Sequence, residues 1–126
     1  MERISAAHAK TLLAKLKRPR FAVAPKAQRT VDGIVFDSSK EAKRYGELAM
    51  LERAGIIFDL KLQPSFIVQI AGKPFCKYTA DFIYKNADRV VIEEIKSSGS
   101  AKDVAYRLRR KAAELYYGIK VTEVIR

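Results

Sequence analysis

Hydrophobic positions change their period several times along the chain, and each change marks an element. Ala9, Leu12, Leu13 and Leu16 recur at helical spacing between Ala6 and Leu16, until Lys17-Arg18-Pro19-Arg20 breaks the run. Val31 to Phe36 places Asp32-Gly33 between short apolar pieces, which predicts a small hairpin. From Ser39 to Ala54, residues Ala42, Tyr45, Leu48, Ala49 and Leu51 keep near-helical spacing. Ser38 and Glu41 fit a capping box for this helix, and Gly55 stands where its C-terminus belongs. Ile56 to Leu62 and Ser65 to Ile70 read as strands interrupted at Pro64. Lys77 to Tyr84 and Arg89 to Ile95 are two more, joined by Lys85-Asn86-Ala87-Asp88. Ser97-Ser98-Gly99-Ser100 leads into a helix from about Ala101 to Tyr117, stopped by Gly118. Val104, Leu108, Ala112 and Leu115 form the stripe of that helix expected to face the core. Lys120 to Ile125 is a last strand. This order of elements predicts a mixed α/β domain, a central sheet with helices packed on it.

A length of 126 residues suits one core and is too short for two ordinary domains. The formal charge of +11, with a pI near 9.9, points to a polyanionic partner, nucleic acid before an anionic membrane surface. That charge is uneven, since residues 1–30 hold eight Lys or Arg against Glu2 alone. Residues 1–29 therefore read as a basic arm and residues 30–126 as the folded domain. Arg18 and Arg20 are the arm's candidate phosphate contacts; a solvated terminus and a mitochondrial presequence are the alternatives. One Cys excludes an internal disulfide and fits a reducing, cytoplasmic setting. One His and one Cys also exclude Cys/His zinc fingers and HEXXH metalloproteases, so any metal must be held by carboxylates. No apolar run approaches the ~18 residues of a membrane span, and no membrane partner is expected.

Charged residues inside the most apolar strands need an explanation, because a buried charge without a partner is costly. Asp81 interrupts Tyr78-Thr79-Ala80-Asp81-Phe82-Ile83-Tyr84, and Glu93, Glu94 and Lys96 sit in Val90 to Lys96. If Tyr84 pairs with Arg89, Asp81 lies opposite Ile92 and diagonal to Glu94 on one face of the sheet. Glu94 and Lys96, two apart, share that face, and Glu93 points to the other. An odd loop or a bulge would exchange Glu93 for Glu94. Carboxylates that converge repel unless a proton or cation lies between them, and oxygen-only ligands suit Mg²⁺ or Mn²⁺. Such a cation beside a lysine is suited to phosphodiester hydrolysis.

Asp81, a gap of twelve residues and then Glu94-Ile95-Lys96 at the end of an apolar strand resemble the PD-(D/E)XK nuclease motif. Val31 to Ser38, Ser39-Lys40-Glu41-Ala42, Leu62-Gln63-Pro64, Tyr78 to Phe82 and Glu93 to Lys96 further resemble small phage endonucleases regarded as Holliday junction resolvase-like. The similarity runs from about Ala27 to the C-terminus, and Ala80 stands where the motif's name has Pro. The resemblance implies a restriction-endonuclease-like core and Mg²⁺-dependent cleavage of branched DNA by a homodimer. It also implies the cytoplasm of a bacterial host if the protein is phage-encoded. Asp81, Glu94 and Lys96 carry over as the core motif, and Glu41 as the carboxylate offered by the first helix.

Other residues have plainer readings beside functional ones. Glu41 is also the capping-box Glu, but it shares the stripe of Tyr45 and Leu48 that should face the sheet. Glu93 suits a surface or helix-facing ion pair. Arg107, Arg109, Arg110 and Lys111 form either a solvated face or phosphate contacts beside the site, and the helix N-terminal amides could face phosphate as well. Tyr78, Tyr84, Tyr106, Tyr116 and Tyr117 read as core and interface aromatics, and Cys76 as a small filler. Gln63 is a weak candidate, and His8 has no partner that would make it catalytic. Two other functions fit the same sequence: a sequence-specific or nicking nuclease on duplex DNA, and a non-catalytic basic nucleic-acid-binding protein.

Overall fold

A computed structural model describes residues 24–96 and 103–126. The helical segment from Ala6 to Leu16, His8, Arg18, Arg20 and the Ser97–Ser100 loop lie outside the described residues. A 3₁₀ turn, Lys26–Arg29, precedes a hairpin of β1 (Thr30–Val31) and β2 (Ile34–Val35). Asp32 and Gly33 make its turn with φ of 52° and 76°, the left-handed pair that a two-residue hairpin loop requires. Helix α1 (Ser39–Arg53) starts where the Ser38 hydroxyl accepts the Glu41 amide at 3.1 Å. Gly55, at φ 75°, ends it and lets the Ile56 amide return to the Leu51 carbonyl at 2.9 Å. Strands β3 (Phe58–Leu62), β4 (Ser65–Ile70), β5 (Lys73–Thr79), β6 (Phe82–Asn86) and β7 (Arg89–Lys96) follow. Helix α2 (Val104–Tyr117) and β8 (Val121–Ile125) complete the described chain.

The fold is mixed α/β. Its main sheet has the order β3-β6-β7-β8, antiparallel except for the β7–β8 pair, which is parallel. A parallel pair needs a crossover, and α2 supplies it. Strands β4 and β5 form a separate antiparallel hairpin. Alternation along β6 and β7 feeds two cores, one on each face. Phe82 and Tyr84 point into the first, with Phe36, Ala42, Leu48 and Ile57, under α1. Ile92 points into the second, with Val68, Tyr78, Ala80, Tyr106, Ala113 and Val121, under α2 and the β4–β5 hairpin. Complete burial of Phe82 and Leu48 contributes about 1.5–3 kcal/mol each relative to exposure.

Five expectations change. The predicted strand from Lys77 to Tyr84 divides at Ala80-Asp81: β5 pairs only with β4, and β6 enters the main sheet. The chain crosses between sheets there, and Ala80 and Asp81 spend their amides on Pro64 and Glu93 carbonyls. An unforeseen Ala71-Gly72 turn, both residues at positive φ, extends β5 back to Lys73. The β6–β7 turn is the two-residue Ala87-Asp88, so Asn86 faces Arg89 and Phe82 faces Glu93. The register thus moves by two residues from the expected one, which keeps every side chain on its predicted face.

The stripe of Val104, Leu108, Ala112 and Leu115 does not face the core except at Ala112, which packs against it. Tyr106 and Ala113 do, while Val104, Leu108 and Leu115 are exposed. Ala113 admits close approach to the sheet, and the Tyr106 ring joins Tyr78 in the second core. Folded structure also begins before Thr30, since the Arg29 guanidinium bonds the Ala24 and Phe36 carbonyls, each at 2.8 Å. No helix among the described residues is long and apolar enough to cross a membrane.

Candidate active site

The expected site residues meet at one end of the central strands. Glu94 and Lys96 come from the last turns of β7's pleat, on the face covered by α2, and Glu93 lies on the opposite face. Asp81 sits immediately before β6, where its Oδ2 accepts the Ile95 amide at 2.7 Å. Glu41 arrives from the first turn of α1. Its amide is spent on the Ser38 cap, while its buried carboxyl lies within hydrogen-bonding reach of Asp81. Glu41 thus uses its backbone for the cap and its side chain for the site.

Each carboxylate has neighbours that fix its charge. Burial, then the charge of Asp81 and that of Asp37, push Glu41 up to about 8. Burial raises Asp81 too, while the Ile95 amide and the bond from Glu41 favour its charged form, so the two carboxyls titrate as a pair. Glu94 rises to about 7 through burial and the nearby Asp81, against the pull of Lys96. Lys96 Nζ is 3.3 Å from Glu94 Oε1, and the Tyr78 hydroxyl donates to Glu94 Oε2 at 3.3 Å. The ammonium of Lys96 also lies 3.7 Å from the centroid of the Tyr106 ring, a cation–π contact that fixes its height above the sheet.

Among the described residues, no three Asp, Glu, His or Cys side chains converge closely enough to make a ready cation cage. The donor chemistry nevertheless suits a hard divalent cation: three carboxylates from three elements, two of them held together by a proton that a cation can replace. Folded chain retains protons on Glu41 and Glu94 that unfolded chain releases above about pH 4.5. Stability of the cation-free protein should therefore fall as pH rises from about 4.5 through about 8, and level off above. A divalent cation held by these carboxylates would compete with those protons, so a stabilising effect of Mg²⁺ at this site should be larger near pH 8 than near pH 6. Thermal melts with Mg²⁺ and with EDTA at both pH values check this. An equal Mg²⁺ effect at both would disconnect the carboxylates from cation binding.

The basic cluster divides. Arg107, Arg109 and Lys111 are exposed, whereas Arg110 is half-buried and ion-paired with Glu123 on β8. Asp103 caps α2 by accepting the Ala105 and Tyr106 amides at 3.0 and 3.3 Å, so those amides are already occupied by a carboxylate. Glu93 makes the helix-facing ion pair: Arg44 grips both its oxygens at 2.8 Å, and the Tyr84 hydroxyl donates to it. Gln63 meets Asp81 only through its backbone amide, at 2.9 Å. Cys76 is half-buried beside the second core.

Three neighbours of the site were missed in the sequence. Asp37 bears on Glu41 and Asp81, Tyr78 on Glu94, and Tyr106 on Lys96. Only Asp37 carried a usable signal, an acid one helical turn before Glu41. The tyrosines reach the site through tertiary packing. A family model described as a protein of unknown function (DUF1064) matches residues 23–126. No curated protein and no solved structure matches the chain. The chain belongs to the DUF1064 family, and the matched span includes Glu41, Asp81, Glu94 and Lys96.

Proposed function

We propose that this protein is a metal-dependent DNA endonuclease with a restriction-endonuclease-like core, acting on branched DNA in the manner of a Holliday junction resolvase. The observation that carries the reading is the meeting of Asp81, Glu94 and Lys96 on one side of the sheet, with the Glu41 carboxyl brought to Asp81 by α1. Its detail beyond that rests on the resemblance to PD-(D/E)XK nucleases. Asp81, Glu94 and Glu41 would hold Mg²⁺, or Mn²⁺ in its place. When bound, the cation supplies a Lewis acid for the scissile phosphate.

The chain's own residues do the rest. Glu41 gives up the proton it shares with Asp81. Lys96, held between Glu94 and the Tyr106 ring, offers N–H donors to the attacking water or to a phosphate oxygen. Arg107, Arg109 and Lys111 contact the DNA backbone, which makes binding strongly salt-dependent. Symmetric nicking of a junction needs two such sites, so the working form is a homodimer, in the cytoplasm.

A non-catalytic DNA-binding role draws on one specific observation, that the carboxylates already have protein partners and form no ready cage among the described residues. Incubation with an end-labelled four-way junction, beside matched linear duplex, separates the readings. Paired nicks on the junction in Mg²⁺ or Mn²⁺, lost in EDTA, are expected. Equal cleavage of the linear duplex would keep the nuclease and remove the junction preference. Binding without cleavage in either cation would leave the binding role.

A further inference from the structure

Helix α2 turns its most apolar side to solvent. Val104, Leu108 and Leu115 are 58%, 65% and 73% exposed, and Phe75 of β5, beside them, is 67% exposed. Between the helix and β5 runs a groove of about 430 Å³ lined by Phe75, Cys76, Ala105, Leu108, Arg109 and Ala112. One face therefore carries both apolar knobs and an apolar hole. Together these side chains present on the order of 500 Å² of apolar surface, near the largest patch a monomer usually leaves open. With the stems of Arg107, Arg109 and Lys111 added, it approaches the about 800 Å² that each partner buries in a stable pair.

We infer that this face is the surface on which two copies of the chain pair, α2 against α2 in antiparallel fashion about a two-fold axis. In that arrangement Leu108 of one copy lies over Ala112 of the other, and Leu115 over Ala105 at the mouth of the groove. A two-fold axis makes each knob-in-hole contact twice. The occupant is a second copy, because the groove and the exposed side chains able to fill it lie on the same face, and their area is near what each partner of a dimer buries. The charges impose a signature. Arg109 lies on one flank of the stripe, and Arg107 and Lys111 on the other, so antiparallel pairing sets like charges along both edges. Added salt screens that repulsion and strengthens the pair, whereas it weakens DNA binding. The inference gives the homodimer of the proposed function a surface, but its test involves no cleavage, so either can fail alone.

Sedimentation equilibrium of the full chain, over a concentration series at low and high NaCl, reads the pairing. Cys76, the chain's single cysteine, gives a second readout, since pairing covers the groove it lines. Expected are a dimer mass that tightens with salt and a Cys76 maleimide reactivity that falls as dimer forms. Leu108→Glu, at an exposed site that tolerates the change in the monomer, introduces a charge into both halves of the interface and should weaken pairing about 100-fold. Met50→Glu, on the exposed face of α1, controls for added charge and should leave the mass unchanged. A wild-type monomer at every concentration and salt overturns the inference. So does a dimer that dissociates with salt, or one that Leu108→Glu leaves intact. A monomer with Cys76 protected at all concentrations also overturns it, and assigns the cover to the chain's own residues.

Discussion

Asp81→Asn should abolish junction cleavage, with a rate loss of about 10³-fold or more, while leaving the fold and DNA binding in place. The fold survives because Asn can still accept the Ile95 amide that Asp81 Oδ2 accepts at 2.7 Å. The chemistry does not, because a neutral amide lacks the negative charge that would favour a divalent cation in place of the proton shared with Glu41. A factor of 10³ corresponds to about 4 kcal/mol of transition-state stabilisation, the scale on which removing one preorganised electrostatic group usually acts. Single-turnover cleavage, DNA binding by gel shift and the Mg²⁺-dependent rise in melting temperature should be measured on the same preparation. Loss of cleavage and of the Mg²⁺ effect, with binding retained, is the expected set. Wild-type cleavage by Asp81→Asn would reduce Asp81 to a structural acid and remove the proposed nuclease centre.

Arg44→Ala should destabilise the protein by about 3–5 kcal/mol, a large share of the 5–15 kcal/mol of a typical domain. Glu93 is the reason. It is 2% exposed, and Arg44 neutralises it through two bonds of 2.8 Å. Removing Arg44 leaves a buried carboxylate whose remaining side-chain partner among the described residues is the Tyr84 hydroxyl. Glu47, the other partner of Arg44, is itself an acid and cannot neutralise Glu93; it keeps its pair with Arg126 at 2.6 Å. Glu93→Gln should cost less, because it removes the buried charge itself. The urea midpoints of Arg44→Ala, Glu93→Gln and the double variant test this through their coupling. An Arg44→Ala cost below about 1 kcal/mol would mean that the pair is as weak as a surface ion pair.

Much of the site was legible because it depends on strand parity. Side chains alternate along a strand, so Glu94 and Lys96 share a face and Glu93 opposes them whatever β7 pairs with. Asp81 falls on their side in the predicted register and in the observed one, because the two differ by an even number of residues. Glu41 was legible for a related reason, since its spacing to Tyr45 and Leu48 turned it toward the sheet. The helix stripe of α2 misled because amphipathic spacing identifies an apolar side without saying what will cover it. Tyr106 and Ala113 won the sheet-facing position, one by joining the aromatic cluster and the other by its small size.

The sequence by itself determined the helices and most strands in order, the Ser38 cap, the Asp32-Gly33 turn, the helix ends at Gly55 and Gly118, the mixed α/β class and the face on which each β7 charge lies. These follow from local backbone preferences and from periods of two and 3.6 residues, which need no knowledge of distant partners. Tertiary structure alone decided where the long strand breaks at Ala80-Asp81, which side of α2 meets the sheet, and that Arg44 neutralises Glu93. It also placed Tyr78 and Tyr106 against Glu94 and Lys96. Those outcomes are set by contacts between residues far apart in the chain, where packing volume and the burial of charge choose among arrangements that the local pattern leaves equal.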